Sequence, residues 1–199
     1  QKYGKLRLEN IMEIQDTVTL YKKDEIQRHA YDLAYKYEKE VHYCPQACFA
    51  ALSDVFHIKD DTIFRSIFGF HGGGCDSGIG MCGGLVGGIV AISYFFGRTR
   101  SEFNLGVSNC YTTGVVKYLV DEFSNEFGGI RCRDCQKKMF GKEIDFWNED
   151  DVAFFEKENG QEDKCSIIVG RGAFLAAGIL WDELRRPSRI KKEKYSQPV

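Results

Sequence analysis

Apolar side chains recur at three- and four-residue spacing through most of the chain, and strand-type alternation is weak throughout. From Asp24, a residue suited to an N-cap, the positions Ile26, Ala30, Leu33, Ala34 and Tyr37 share one face and predict a first helix. A second runs from about Pro45, which fits a first helical turn, to Phe56. Asp60 or Asp61 caps a short third helix through Ile67. Residues 69–84 are too rich in glycine for regular structure; they predict a loop that brings backbone close to something and feeds a helix through Phe96. Val116, Leu119, Phe123 and Phe127 align in a helix over about 112–127, ended by Gly128 and Gly129, and a short helical turn follows around 132–139. The acidic stretch 142–163 predicts a surface excursion. Ile168, Gly172, Leu175 and Ile179 share a face of a last helix over about 164–185. The class expected is all-α: a compact single-domain helical bundle over 23–184 with a glycine-rich metal-binding loop, an extended arm over 1–22 before it and a basic tail over 185–199 after it.

Composition adds two restrictions. At 199 residues with 43% hydrophobic and 28% charged side chains, the chain is long enough for one core and wrong for a disordered segment. The formal charge of −2 divides into +5 on the 185–199 tail and −7 on the rest. An acidic body argues against nucleic acid, whose phosphates call for a basic surface. The tail reads as a solvated terminus, with docking on an anionic partner as the other reading. Ser77 to Gly97 carries no charge and has about the length of a membrane span, yet seven of its residues are glycine, so a buried core helix is expected and no membrane span. Gly84 and Gly88, four apart, would let two helices approach closely there.

The cysteines change the picture most. Cys44, Cys48, Cys75, Cys82, Cys110, Cys132, Cys135 and Cys165 are too many for a chain that has a core and needs no staples, and they point to metal or redox chemistry. Cys132 and Cys135 form a C-x-x-C pair, a spacing used by zinc and iron–sulfur sites and by thiol-redox pairs. Cys44 and Cys48 face the same side of a helix. Cys82 and Cys165 each stand at a helix entry, where free N–H groups and the positive dipole end favour thiolate and sulfide charge. With no second C-x-x-C, a four-cysteine zinc ribbon is not supported. Cys110 is expected as a small buried hydrophobe, while Cys48 and Cys75 divide between structural and ligating readings.

With those residues in view, the chain resembles a known family, the redox-active proteins named for their C-GCAxxG-C-C cysteine pattern, which are similar to the cluster-bearing part of split-Soret cytochromes. The resemblance is carried by Ala30-Tyr-Asp-Leu-Ala-Tyr-Lys-Tyr37 and Tyr43-Cys-Pro-Gln-Ala47, by Gly69-Phe-His-Gly-Gly-Gly74 and Cys82-Gly-Gly-Leu-Val-Gly87, by Phe127-Gly-Gly-Ile-Arg-Cys-Arg133, and by Cys165 before an alanine-rich helix. It covers about residues 26–184. It implies that Cys44, Cys82, Cys132 and Cys165 are the family cysteines, and that they bind an iron–sulfur cluster of the [2Fe–2S] type as its metal ligands. Haem is the other cofactor in view, but Cys135 is followed by Gln136, so the C-x-x-C-H signature of covalent haem is missing. The extra thiols leave a larger cluster or an altered ligand set open.

Weaker signals are set aside. Gly78-Ile-Gly80-Met-Cys-Gly83 spells G-x-G-x-x-G, but no strand precedes it as a dinucleotide site requires. His29, His42, His57 and His71 are scattered; His71 stands in the glycine loop, and an ordinary surface role is expected for it. Glu149, Asp150 and Asp151 read as a solvated face. The expectation is therefore an electron-transfer protein rather than a catalyst, working with a redox partner protein and self-associating as a homo-oligomer. A thiol- or cluster-dependent oxidoreductase and a structural zinc or interaction protein are the alternatives. A chain starting at Gln1 leaves room for a removed leader, and the compartment, cytoplasm or periplasm of an anaerobic-type bacterium, stays open.

Overall fold

The structure is a computed structural model that describes residues 16–186. In chain order it contains α1 (Lys23–Glu40), α2 (Cys44–Phe56), α3 (Asp61–Ser66), a 3-10 segment (Phe68–Gly73), α4 (Gly83–Phe96), α5 (Arg100–Asn104), α6 (Cys110–Phe127), α7 (Cys132–Phe140), α8 (Glu149–Lys157), a π-helical segment (Gly160–Cys165) and α9 (Ser166–Leu184). Among the described residues there is no strand, only an isolated antiparallel bridge between Met81 and Arg131. The fold is all-α. Residues 16–20, part of the stretch expected as an extended arm, are helical, and Val18 is buried; residues 1–15 and most of the expected tail lie outside the described residues.

The caps explain most boundaries. Asp60, Asn109 and Asn148 each accept a hydrogen bond from a first-turn N–H of α3, α6 and α8. At α1 the cap position is Lys22 rather than Asp24, with the Glu25 carboxylate accepting the Lys22 N–H at 2.8 Å. The acidic stretch 142–163 is more ordered than its charge suggests. It holds α8, whose Phe155 packs against Phe140 and Phe146.

The core is built where α9 lies against α1, α4 and α2, and α4 against α2. Glycines set the distance between these helices. A Cβ on Gly172 would stand 2.7 Å from the Gly84 carbonyl carbon and closer still to its oxygen; a Cβ on Gly88 would stand 3.0 Å from that of Ala176. On the neighbouring face of α4, Gly83 and Gly87 meet Pro45 and Cys48 of α2, with 2.6 Å from a Gly83 Cβ to Pro45 Cδ. The four-residue glycine spacing thus serves two crossings at once, Gly84/Gly88 toward α9 and Gly83/Gly87 toward α2. The uncharged stretch 77–97 is helical only over Gly83–Phe96, too short to span a bilayer. The run Gly160–Leu184 is long and apolar enough to cross one, and 61% of its most apolar window is buried inside the protein.

Candidate metal and redox site

The four cysteines singled out by the family pattern all sit where a helix begins. Cys44 and Cys132 are the first residues of α2 and α7, Cys82 is the N-cap of α4, and Cys165 closes the π-helical segment that runs into α9. Backbone bonds bring these starts together. Cys82 N–H donates to Ile130 O (2.8 Å), Cys132 N–H to Gly80 O (2.9 Å) and Arg133 N–H to Gly78 O (3.0 Å), so the approach to α4 is zipped to the start of α7. The glycine loop folds over this junction with left-handed backbone from Gly72 to Asp76, which its glycines adopt without steric cost. Gly73 packs so closely on Cys132 that a Cβ there would lie 2.8 Å from the cysteine's own.

The sulfurs act on one another. The charges of Cys82 and Cys132 raise Cys44, that of Cys82 raises Cys132, and those of Cys132 and Cys82 raise Cys165, in each case after burial, the largest cause. Cys82 is the exception. It is held below the ordinary thiol range, first by a hydrogen bond from the Cys135 thiol and further by the backbone N–H groups of Gly84 and Leu85, against the opposing effect of burial. Cys135 is correspondingly pushed up, first by that bond and then by burial. Cys82 also stands at a helix N-terminus, a position that favours thiolate character.

The other cysteines and His71, all in view from the sequence, divide between the core and the surface. Cys135 lies one helical turn from Cys132 and is 1% exposed, within hydrogen-bond reach of Cys82. Cys48 is fully buried, its thiol donating to Gly84 O at 3.1 Å. Cys75 is exposed in the loop. Cys110, expected as a buried hydrophobe, is exposed at the start of α6, with Ser108 Oγ 3.0 Å from its sulfur. His71 is engaged locally, Nδ1 against Phe68 O at 2.7 Å and Nε2 toward Asp76 at 3.5 Å. All eight cysteines are free thiols.

The most informative newcomer is Glu38, in the last turn of α1. It is 3% exposed, and its Oε1 accepts from Gln161 Nε2 at 2.6 Å, while Oε2 has no hydrogen-bond partner. Burial pushes its carboxyl up to about 8, with the Gln161 bond opposing and the Cys82 charge adding. The signal for it was present: Ile26, Ala30, Ala34 and Glu38 follow one another at four-residue spacing, and all are buried. A carboxylate on the core face of a helix is worth asking about, because burying its charge is costly without a partner.

This has a measurable consequence. Between its ordinary value of 4.5 and about 8, the folded chain keeps a proton on Glu38 that the unfolded chain has lost. Folding then binds a proton, so stability falls as pH rises through that window, by up to about 4 kcal/mol for the whole interval. Urea denaturation of the chelator-treated protein at pH 5 and pH 8 should show this loss, and Glu38→Gln should flatten it.

As for what the site could hold, soft thiolates are ligands for iron and zinc alike. Among the described residues, no three His, Cys, Asp or Glu side chains stand close enough, as placed, to hold a single ion between them. The thiols share a neighbourhood without converging on a point.

Fold and site together define an all-α protein with several cysteines gathered at helix starts. The chain belongs to the C_GCAxxG_C_C family, described as "Putative redox-active protein", whose model matches residues 42–179. No curated protein and no solved structure matches it.

Proposed function

We propose that this protein is an electron carrier in which Cys44, Cys82, Cys132 and Cys165 hold an iron–sulfur cluster, of the [2Fe–2S] type. The observation that carries the reading is the meeting of helix starts far apart in sequence, each bearing a thiol: Cys82 N–H to Ile130 O and Cys132 N–H to Gly80 O join the start of α4 to that of α7, and Gly83, next to Cys82, packs against the Cys44 sulfur. The donor set fits: soft sulfur ligands, backbone N–H groups of Gly84 and Leu85 at the Cys82 sulfur, and glycines at 73 and 83 whose missing side chains leave the thiols room. When bound, such a cluster supplies one-electron oxidation and reduction. The chain's own part is to exclude water around buried sulfurs, to donate N–H groups to them, and to present an acidic body that attracts a basic redox partner.

Protein purified without oxygen is expected to be coloured and to contain iron and acid-labile sulfide in equal amounts, with an EPR signal on reduction. A colourless protein with one zinc per chain would overturn the reading.

A second reading draws on Cys82 and Cys135 alone. A Cys82 thiolate could attack a partner's disulfide to give a mixed disulfide and one released thiol. Cys135 would then displace the second, leaving a Cys82–Cys135 disulfide in the protein and a reduced partner. Mass spectrometry showing that disulfide, in protein free of iron, would favour it.

A further inference from the structure

We infer that the protein pairs with a second copy of itself by exchanging arms, the segment 98–108 of each chain seating in the groove between α4 and α6 of the other. The pairing is independent of what the thiols hold.

The arm leaves the helices at Gly97, which ends α4, and returns at Asn109, which caps α6. Between them Phe103, Leu105 and Val107 keep large apolar side chains in water, with Leu105 79% and Phe103 54% exposed. Single exposed apolar residues are ordinary; three within five positions of one projection are not. The arm is nevertheless well held. Thr99 and Glu102 form a capping box on α5, the Thr99 N–H reaching the Glu102 carboxylate at 2.7 Å and the Glu102 N–H reaching Thr99 Oγ1 at 3.2 Å. Arg98 Nη1 donates to Val107 O at 3.0 Å and ties the two ends together. The guanidinium groups of Arg98 and Arg100 stand 4.9 and 5.2 Å from the centre of the Phe103 ring. At the root, Asn109 Nδ2 and Thr112 Oγ1 both donate to Phe96 O. A projection fixed in this way has already given up the freedom that binding would otherwise cost.

Beside its root a groove of about 640 Å³ runs between α4 and α6, lined by the apolar Ile89, Val116 and Val120 and by Ser93 and Thr113. Arg98 and Ser108, at the two ends of the arm, border this groove, while Leu105 stays out in solvent instead of entering it. Charge decides the occupant. Arg98 and Arg100 mark one end of the groove as basic. Asp121 and Glu122 follow Val120 at the other, roughly 16 Å along α6 from Cys110. Lys117 holds both Asp121 oxygens at 2.7 and 2.6 Å, and a carboxylate has capacity for a second basic partner. A face that is basic at one end and acidic at the other complements itself when two copies meet antiparallel about a two-fold axis. Arg100 of each chain then meets Asp121 and Glu122 of the other, and Leu105 enters the groove over Val116. A partner of uniform charge is attracted at one end and repelled at the other.

The test is sedimentation equilibrium of the full-length protein over a range of concentrations, with circular dichroism to check folding. Wild type is expected at twice the mass of one chain. Leu105→Asp adds a charge at an exposed position, so helicity should be unchanged while the dissociation constant rises by roughly thirtyfold or more. Arg100→Glu and Asp121→Arg should each weaken pairing by about tenfold, and the double variant should restore it. Hydrogen exchange should show protection over 98–108 in wild type that is lost in Leu105→Asp. Wild type that remains monomeric at roughly 100 µM overturns the inference and leaves the groove to a different occupant. A dimer whose dissociation constant moves with neither Leu105→Asp nor the charge variants places the interface elsewhere and overturns it too. Iron content enters neither outcome, so the pairing and the cluster reading stand or fall separately.

Discussion

Gly172→Ala is expected to lower the unfolding free energy by about 3 kcal/mol, read as a shift of the urea midpoint with little change in slope. The added methyl would sit 2.7 Å from the Gly84 carbonyl carbon and nearer to its oxygen, and these are backbone atoms of α4 that no rotamer change moves aside. The helices would have to separate, and with them the start of α4, where Cys82 sits. The same substitution should therefore weaken metal retention as well as stability. Gly114→Ala is the control. A Cβ there meets nothing within 4 Å, and the position lies inside α6, where alanine is favoured over glycine by about 1 kcal/mol.

The second large effect is expected in a cysteine series. Cys82→Ser should remove nearly all bound iron, a fall of at least about tenfold per chain, because Cys82 lies buried where the start of α4 is joined to that of α7. Cys132→Ser should behave alike. Cys75→Ser and Cys110→Ser should retain iron and spectrum, since both side chains are exposed. Iron assays and visible absorption across the series measure the contrast. Cys135→Ser sorts the two readings of the site: it should leave an iron centre bound by the other cysteines largely in place, yet abolish any dithiol exchange that depends on Cys135.

The helices themselves were legible because each carries an apolar face at regular spacing, and the cysteine positions at helix starts followed from the same pattern. What stayed hidden depends on tertiary contact. Tyr37 continued the apolar face as read from sequence, but one residue further Glu38 is the one buried, its Oε1 met by Gln161 from 123 residues away. No local pattern announces that partner. The C-x-x-C spacing paired Cys135 with Cys132, and its hydrogen bond with Cys82 comes only once the approach to α4 is joined to the start of α7. Cys110 was expected inside because free cysteines are commonly buried, yet it opens a helix at the surface. In 142–163 the abundance of acids masked α8, whose Phe155 packs against two further phenylalanines. The glycines of α4 were read as allowing one close helix approach; that they serve two partners on adjacent faces is decided by where α2 and α9 lie.

The most direct trial is X-ray absorption at the iron edge on protein purified without oxygen. Sulfur neighbours around iron together with a second iron nearby are the predicted result, the sulfur signal collapsing in Cys82→Ser. Iron surrounded by oxygen or nitrogen alone, or no iron in a protein whose thiols are intact, would contradict the account.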